Sequence, residues 1–276
     1  MGDCRFCGQR AGLFRDVHPA CETQYYAAVR QMTDTATETA RGFRSLASLL
    51  PTLQGLVPNN VQSAALVRQA LVNGFELAVK ACITPDGVSA ADERSLLRYC
   101  QHVALKRDEL DANGAFTRLM MGLTLRDISQ GKIATRYQSG APIPFNLGQN
   151  ERLIWLFPDA AYYEEKIFRE FEGGHQGVSI RVVSGVYYRT GRYRGRPVER
   201  QQRTLVGRGQ LGITDLSLYF SSAGRGLKIP FKKIVTFQHY EDGIGIQRDS
   251  QTALPQIFVT GDGWFICNIV TKLAAI

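Results

Sequence analysis

Apolar residues recur every three or four positions through the first half of the chain and every second position through much of the rest. The first spacing lines one face of a helix and the second one face of a strand. Cys21, Tyr25, Ala28, Val29 and Met32 open a helical stripe that Ala36, Ala40, Phe43, Leu46, Ala47 and Leu50 continue. One long helix, or two abutting ones, is predicted from about Pro19 to Leu50, with a linker over residues 51–60 (PTLQGLVPNN). Val61, Ala64, Ala65, Leu71, Phe75, Ala78, Val79 and Cys82 form a second stripe. Pro85-Asp86-Gly87 reads as a turn, and Ser89 with Asp92 three residues on reads as the cap of a helix facing inward through Leu96, Leu97, Cys100, Val103 and Ala104. A last helix carries Phe116, Leu119, Met120 and Leu123 and closes near Gly131.

From Glu151 the period shortens. Strands are predicted at residues 153–157, 162–171, 178–189, 199–206, 209–214, 216–221, 227–231, 234–240, 243–248 and 256–260, with glycine-bearing turns between many of them. Asp262 caps a closing helix whose apolar side is Ile266, Ile269, Val270 and Leu273. Residues 136–150 (RYQSGAPIPFNLGQN) have the composition of a domain boundary.

The strongest chemical signal is Cys4-Arg-Phe-Cys7 followed by His18-Pro-Ala-Cys21. Zinc takes four N or S ligands in a tetrahedron, and this C-x2-C / H-x2-C set supplies four. Gly8 permits a tight turn after Cys7, Pro19 suits the first position of a helix, and His18 and Cys21 then share one side of its first turn. A redox C-x-x-C belongs in a thioredoxin-like βαβ setting that is missing here. With all four positions filled by protein, the site is expected to be structural. Cys82, Cys100 and Cys267 sit in apolar stripes and read as small buried hydrophobes.

Composition adds one feature. The 276 residues include 33 Lys+Arg against 25 Asp+Glu, a net charge of +8, and the surplus is concentrated locally. Arg181, Arg189, Arg192, Arg194, Arg196, Arg200, Arg203 and Arg208 face a single acid, Glu199. Arg192, Arg194, Arg196, Arg200 and Arg203 are the candidates for an anion or partner site, against the alternative of a solvated sheet face. No apolar run reaches a membrane span, and MGDCRFCG lacks the apolar core of a signal peptide, so a cytoplasmic protein is expected.

Several chemistries fail on context. Gly207-Arg-Gly209-Gln-Leu-Gly212 fits G-x-G-x-x-G, but a strand rather than a helix follows, so it reads as a strand turn. P-loop and G-x-S-x-G motifs are absent from the sequence, His175 has no neighbouring nucleophile, and His102 is a lone histidine beside an apolar face. Glu164 and Glu165 are adjacent and, on a strand, point to opposite faces. Counting from Asp86, alternate positions are Val88 and Ala90, which excludes an EF-hand loop.

Three segments resemble known families. CRFCG…GLFRDVHPAC resembles small treble-clef-like zinc fingers at the head of bacterial proteins. D-G-x-x-S-x-x-D-E within residues 61–130 is similar to the helical TerB (tellurite-resistance) family, a resemblance that implies a second metal near Asp86, Asp92 and Glu93; a turn and capping box explain the same letters. GQLGITDLSLYF…LKIPFKKIVTFQHYEDGIGIQRD resembles GRAM/PH-like modules, through Thr214, Tyr219-Phe220, Pro230-Phe231, Lys233-Ile234 and Asp242-Gly243. That resemblance implies a β-barrel closed by a C-terminal helix.

The expected fold class is α+β: a zinc finger leading into a long helix (1–35), a helical domain (36–135) and an antiparallel PH/GRAM-like β-barrel with a C-terminal helix (150–276). No catalytic constellation emerges. The expected function is that of a non-catalytic zinc-binding adaptor recognising a protein partner or anionic surface, including peripheral membrane contact. Nucleic-acid binding through the finger and the Arg181–Arg208 cluster is the alternative.

Overall fold

The computed structural model describes residues 2–12, 15–58, 63–135, 143–172, 177–183, 186–191, 196–249 and 255–276, with backbone alone between 166 and 202. Two compact units divide the chain, Met1–Gln138 and Ser139–Ile276. Among the described residues no helix is long and apolar enough to cross a membrane.

The first unit holds α1 (Pro19–Ala40), α2 (Leu49–Leu56), α3 (Ser63–Cys82), α4 (Ala90–Val103), the short α5 (Arg107–Leu110) and α6 (Ala115–Ser129). Met32, Ala36, Leu53, Phe75, Leu96, Tyr99, Leu119 and Leu123 are fully or almost fully buried and form one core. At the α1–α3 crossing the backbones come close, because a Cβ on Gly74 would lie 2.4 Å from that of Ala36. Tyr99, deep in the core, donates its hydroxyl to the Leu71 carbonyl at 2.9 Å.

The long first helix is shorter than its apolar stripe. It stops at Ala40, and Gly42, at φ +82°, takes the left-handed conformation that turns the chain away. The expected linker is also partly helical: α2 runs from Leu49 to Leu56 and admits Pro51 in its first turn, where a missing N–H breaks no intrahelical bond. Around Asp86 the turn and cap are as predicted. Gly87 sits at φ +99°, and the Ser89 hydroxyl accepts the Asp92 N–H at 3.1 Å. Glu93 reaches across to Arg126 of α6 at 2.6 Å, joining two helices.

The second unit contains β1 (Leu153–Glu172), β2 (Gly177–Val183), β3 (Val186–Gly191), β4 (Arg196–Thr214), β5 (Ser217–Ser222), β6 (Arg225–Pro230), a 3-10 turn (Phe231–Lys233), β7 (Ile234–Tyr240), β8 (Gly243–Arg248), β9 (Gln256–Val259) and α7 (Gly263–Ala274). Pairs of predicted strands fuse into β1 and β4. In β1 the ladder absorbs Pro158 through a register shift between Phe157 and Ala160, since a bulge tolerates a residue without an N–H. Of residues 178–189, predicted as one strand, 178–183 belong to β2 and 186–189 to β3, which pair antiparallel. Gly207 to Gly212, read above as a strand turn, lies inside β4, where Gly209 lets the Ser221 backbone of β5 approach.

The sheet order is β6-β5-β4-β1-β9-β8-β7, antiparallel throughout. This corrects the barrel: β6 and β7 are opposite edges and do not pair, so the sheet is open. The 3-10 turn joining them redirects the chain, and Pro230 ends β6 without a backbone donor. Helix α7 packs against β7 and β8, capped by Asp262, whose carboxylate accepts the Phe265 N–H at 2.9 Å. Phe265 in turn meets Trp155 edge-on at 4.8 Å between ring centres.

One buried charge organises the start of this sheet. Glu151 receives the Thr214 hydroxyl at 2.7 Å, the Tyr219 hydroxyl at 2.6 Å, the Lys228 ammonium at 2.9 Å and the Gly148 N–H at 3.1 Å. Burial alone would raise its pKa, but these four donors favour the carboxylate and hold it at about 2. Thr214 also accepts the Ser217 N–H at 2.9 Å, so the carboxylate braces the β4–β5 turn.

Candidate metal centre

The N-terminal residues fold back on themselves because two glycines allow it. Gly8 and Gly12 adopt φ +71° and +101°. Across the turn at Gly8, Asp3 and Arg10 form an antiparallel bridge, the Cys4 N–H donates to the Gln9 carbonyl at 2.7 Å, and the Gly8 N–H donates to the Cys4 carbonyl at 2.8 Å. This knuckle turns the Cys4 and Cys7 sulfurs to one side. His18 is extended and caps α1, and Pro19 starts the helix, so His18 and Cys21 meet the knuckle from the other side.

The structure brings all four predicted ligands together, with their donor atoms within 4.8 Å of one another. The His18 Nδ1 lies 3.3 Å from the Cys7 Sγ and 3.8 Å from the Cys21 Sγ. A tetrahedron with bonds of ~2.3 Å has edges of about 3.8 Å, so these spacings suit a bound ion. The outer contacts also fit. His18 Nε2 lies 3.0 Å from the Arg10 carbonyl, which assigns the proton to Nε2 and leaves the Nδ1 lone pair for the metal.

The sulfurs differ in protonation. Burial pushes the Cys4 thiol up, but the backbone N–H groups of His18, Phe6 and Cys7 stabilise its thiolate and bring it down to about 6. Cys21 is raised to about 11 by burial and by its bonds to Cys7 and Cys4. A metal takes its sulfur ligands as thiolates, so binding would release any protons they carry.

Around the centre, Phe6 stacks on Tyr25 of α1 at 4.5 Å, with the Arg5 guanidinium 4.9 Å above Phe6. The C-x2-C / H-x2-C spacing carries no sign of this stack or of the Arg10 carbonyl, since a backbone acceptor leaves no trace in residue types. An open groove of about 650 Å³ runs along α1, lined by Tyr26, Arg30, Asp34, Glu38, Arg44 and Thr52. Its cations and anions offset one another, Arg44 being bonded to Glu38.

The basic cluster is placed in part. Arg192 and Arg194 lie outside the described residues; Arg196 and Arg200 are on β4, opposite Glu172 and Phe168, with backbone alone described. Arg203 is engaged, donating to Glu165 at 3.0 Å and to the Tyr240 hydroxyl at 3.1 Å. Arg208 lies 3.8 Å from Asp159. His175 is outside the described residues. Among the described residues, Asp86, Asp92 and Glu93 do not form a metal-sized group; the four N-terminal ligands are the one that does.

In comparison with known proteins, no protein-family model matches the chain, and no curated protein matches it. The TerB and GRAM/PH-like resemblances rest on the residues quoted for them. Fold and site together define a protein with a Cys3His cluster positioned to bind a metal ion, a helical unit and an open antiparallel sheet with a C-terminal helix.

Proposed function

We propose that Cys4, Cys7, His18 and Cys21 hold one zinc ion and that the chain is a non-catalytic adaptor whose sheet domain recognises a protein partner. The observation that carries this reading is the convergence of four N and S donors, with the histidine oriented by a carbonyl behind it. Four protein ligands fill a tetrahedral zinc, so the ion would fix the knuckle to the start of α1 rather than activate water. A reducing cytoplasm suits such a site, because it keeps the thiols available. A protein partner is favoured over an anionic membrane because Arg203 and Arg208 have acidic neighbours.

Elemental analysis of protein purified without added metal tests the centre. One zinc per chain is expected, lost in Cys7→Ser and kept in Cys82→Ser. Equal zinc in wild type and Cys7→Ser excludes it.

The stack of Arg5, Phe6 and Tyr25 supports a second reading, nucleic-acid binding by the finger together with the Arg181–Arg208 cluster, because cations beside aromatic faces suit phosphates and bases. A gel shift with duplex and single-stranded DNA at two salt concentrations decides it: phosphate contacts give a steep salt dependence. No shift at low salt rejects this second reading.

A further inference from the structure

The seven-stranded sheet ends in two unlike edges. At one end β6 reads Arg-Gly-Leu-Lys-Ile-Pro, with two charges and a terminal proline. Charge and proline keep an edge from recruiting another chain. At the other end β7 reads Ile-Val-Thr-Phe-Gln-His-Tyr, with no Lys, Arg, Asp, Glu or Pro. Five of its seven residues are exposed. Val235 is 61% exposed and Phe237 36%, high values for large apolar side chains. β8 pairs with β7 on one side, and among the described residues no strand pairs on the other. The register shift near Val235 leaves Thr236–Tyr240 regular.

The flanks of this bare edge are charged with opposite signs. Lys232 and Lys233 precede it and Glu241 and Asp242 follow it, all four exposed. Among the described residues none of the four forms an ion pair. A strand with a positive start and a negative end is complementary to itself when reversed.

We propose that β7 is the docking edge for a second copy of this chain, paired antiparallel about a two-fold axis through Phe237. In that register Phe237 meets the partner's Phe237, and Val235 meets the partner's His239. The 3-10 turn with Lys232 and Lys233 then lies beside the turn that carries the partner's Glu241 and the partner's Asp242. Symmetry repeats the contact, so opposite charges bracket both ends of the ladder. A parallel arrangement sets lysine against lysine, and an unrelated peptide gains the backbone bonds without the matched ends. The two sheets become continuous across the axis. One strand pair is a small interface, so the association is weak, with a dissociation constant on the order of 10 μM. The proposal is independent of the metal centre.

Sedimentation velocity of the full, metal-replete chain over a concentration series tests it. Wild type is expected to shift from monomer to dimer as concentration rises. Lys233→Glu and Glu241→Lys each set like charges together and should weaken the dimer about 10-fold, while the double reversal restores it. Circular dichroism of these exposed variants should match wild type, separating loss of pairing from loss of fold. Phe237→Cys should form a disulfide-linked dimer under mild oxidation to a greater extent than wild type, since directly opposed strand residues lie close enough to bridge. A wild-type monomer at the highest soluble concentration overturns the proposal. So do single reversals without effect, a double reversal no tighter than the singles, or a Phe237→Cys variant that does not cross-link.

Discussion

Glu151 and Lys228, 77 positions apart in the chain, meet at 2.9 Å, where the loop before β1 faces β6. The lysine is half exposed while the carboxylate is almost completely enclosed. The buried partner therefore depends on its donors more than the lysine depends on it.

A carboxyl held at about 2 in the folded chain, against about 4.3 when unfolded, stabilises the fold at neutral pH by about 3 kcal/mol. That contribution is fully present above the unfolded value and is lost as pH falls from about 4.3 towards 2. Glu151→Gln should lower stability at neutral pH by about 2–3 kcal/mol, and its gap from wild type should close through the acid range. Urea unfolding at several pH values measures this. A gap that does not change with pH assigns the loss to shape rather than charge.

Gly74→Ala improves helix propensity yet should destabilise the chain by about 1–3 kcal/mol, because the added methyl meets Ala36 where α1 and α3 cross. Ala36→Gly in the same chain should recover part of that loss. Thermal unfolding of the three variants checks the pair, and a neutral Gly74→Ala shows that the helices shift freely.

Removing the metal with a chelator should loosen residues 1–30 selectively. Four backbone bonds, among them Ala11 N–H to Gly2 and Arg5 N–H to Asp16, and little apolar core hold this segment, so an ion bound there would join its two halves. Amide exchange should rise at Cys4, Gly8 and Ala11 while Leu96 and Tyr99 stay protected. A uniform rise across the first unit places the metal in the folding of the helices as well.

Limited proteolysis should cut between Arg136 and Asn150, the segment where the two units divide. The C-terminal fragment contains its own core, including Trp155, Phe258 and Phe265, and should remain folded by circular dichroism. A fragment that unfolds makes the two units interdependent.

Much of the helical unit was legible from its stripes. Phe75, Leu96, Leu119 and Leu123 are buried as their spacing predicts, and Ser89 and Asp262 cap the helices they precede. The ligand set was legible because zinc geometry restricts residue types and spacing. Strand connectivity was less so. Apolar alternation breaks at the Pro158 bulge and at the glycines inside β4, so β1 and β4 each read as two strands. Openness of the sheet had no local signature, since it depends on what β6 and β7 fail to do at opposite ends. Glu151 was invisible for a related reason: its four donors come from residues 148 to 228.

The place of β1 at the centre of the sheet governs the order of folding. Strands β4, β5 and β6 form one meander of neighbours, and β7, β8 and β9 another, each able to assemble from nearby chain. β1 belongs to neither. It meets β4 first at Glu172 and Arg196, 24 positions apart, but meets β9 only across about 92 residues or more, from Glu164 to Gln256. A loop of about 92 residues is the slower one to close, so the inner edge of β9 is expected to stay bare longest. During that interval the chain is most exposed to wrong partners, and insertion of β1 ends it. During synthesis β1 is made before any strand it pairs with, so the first strand of the sheet to be made is the last to be completed.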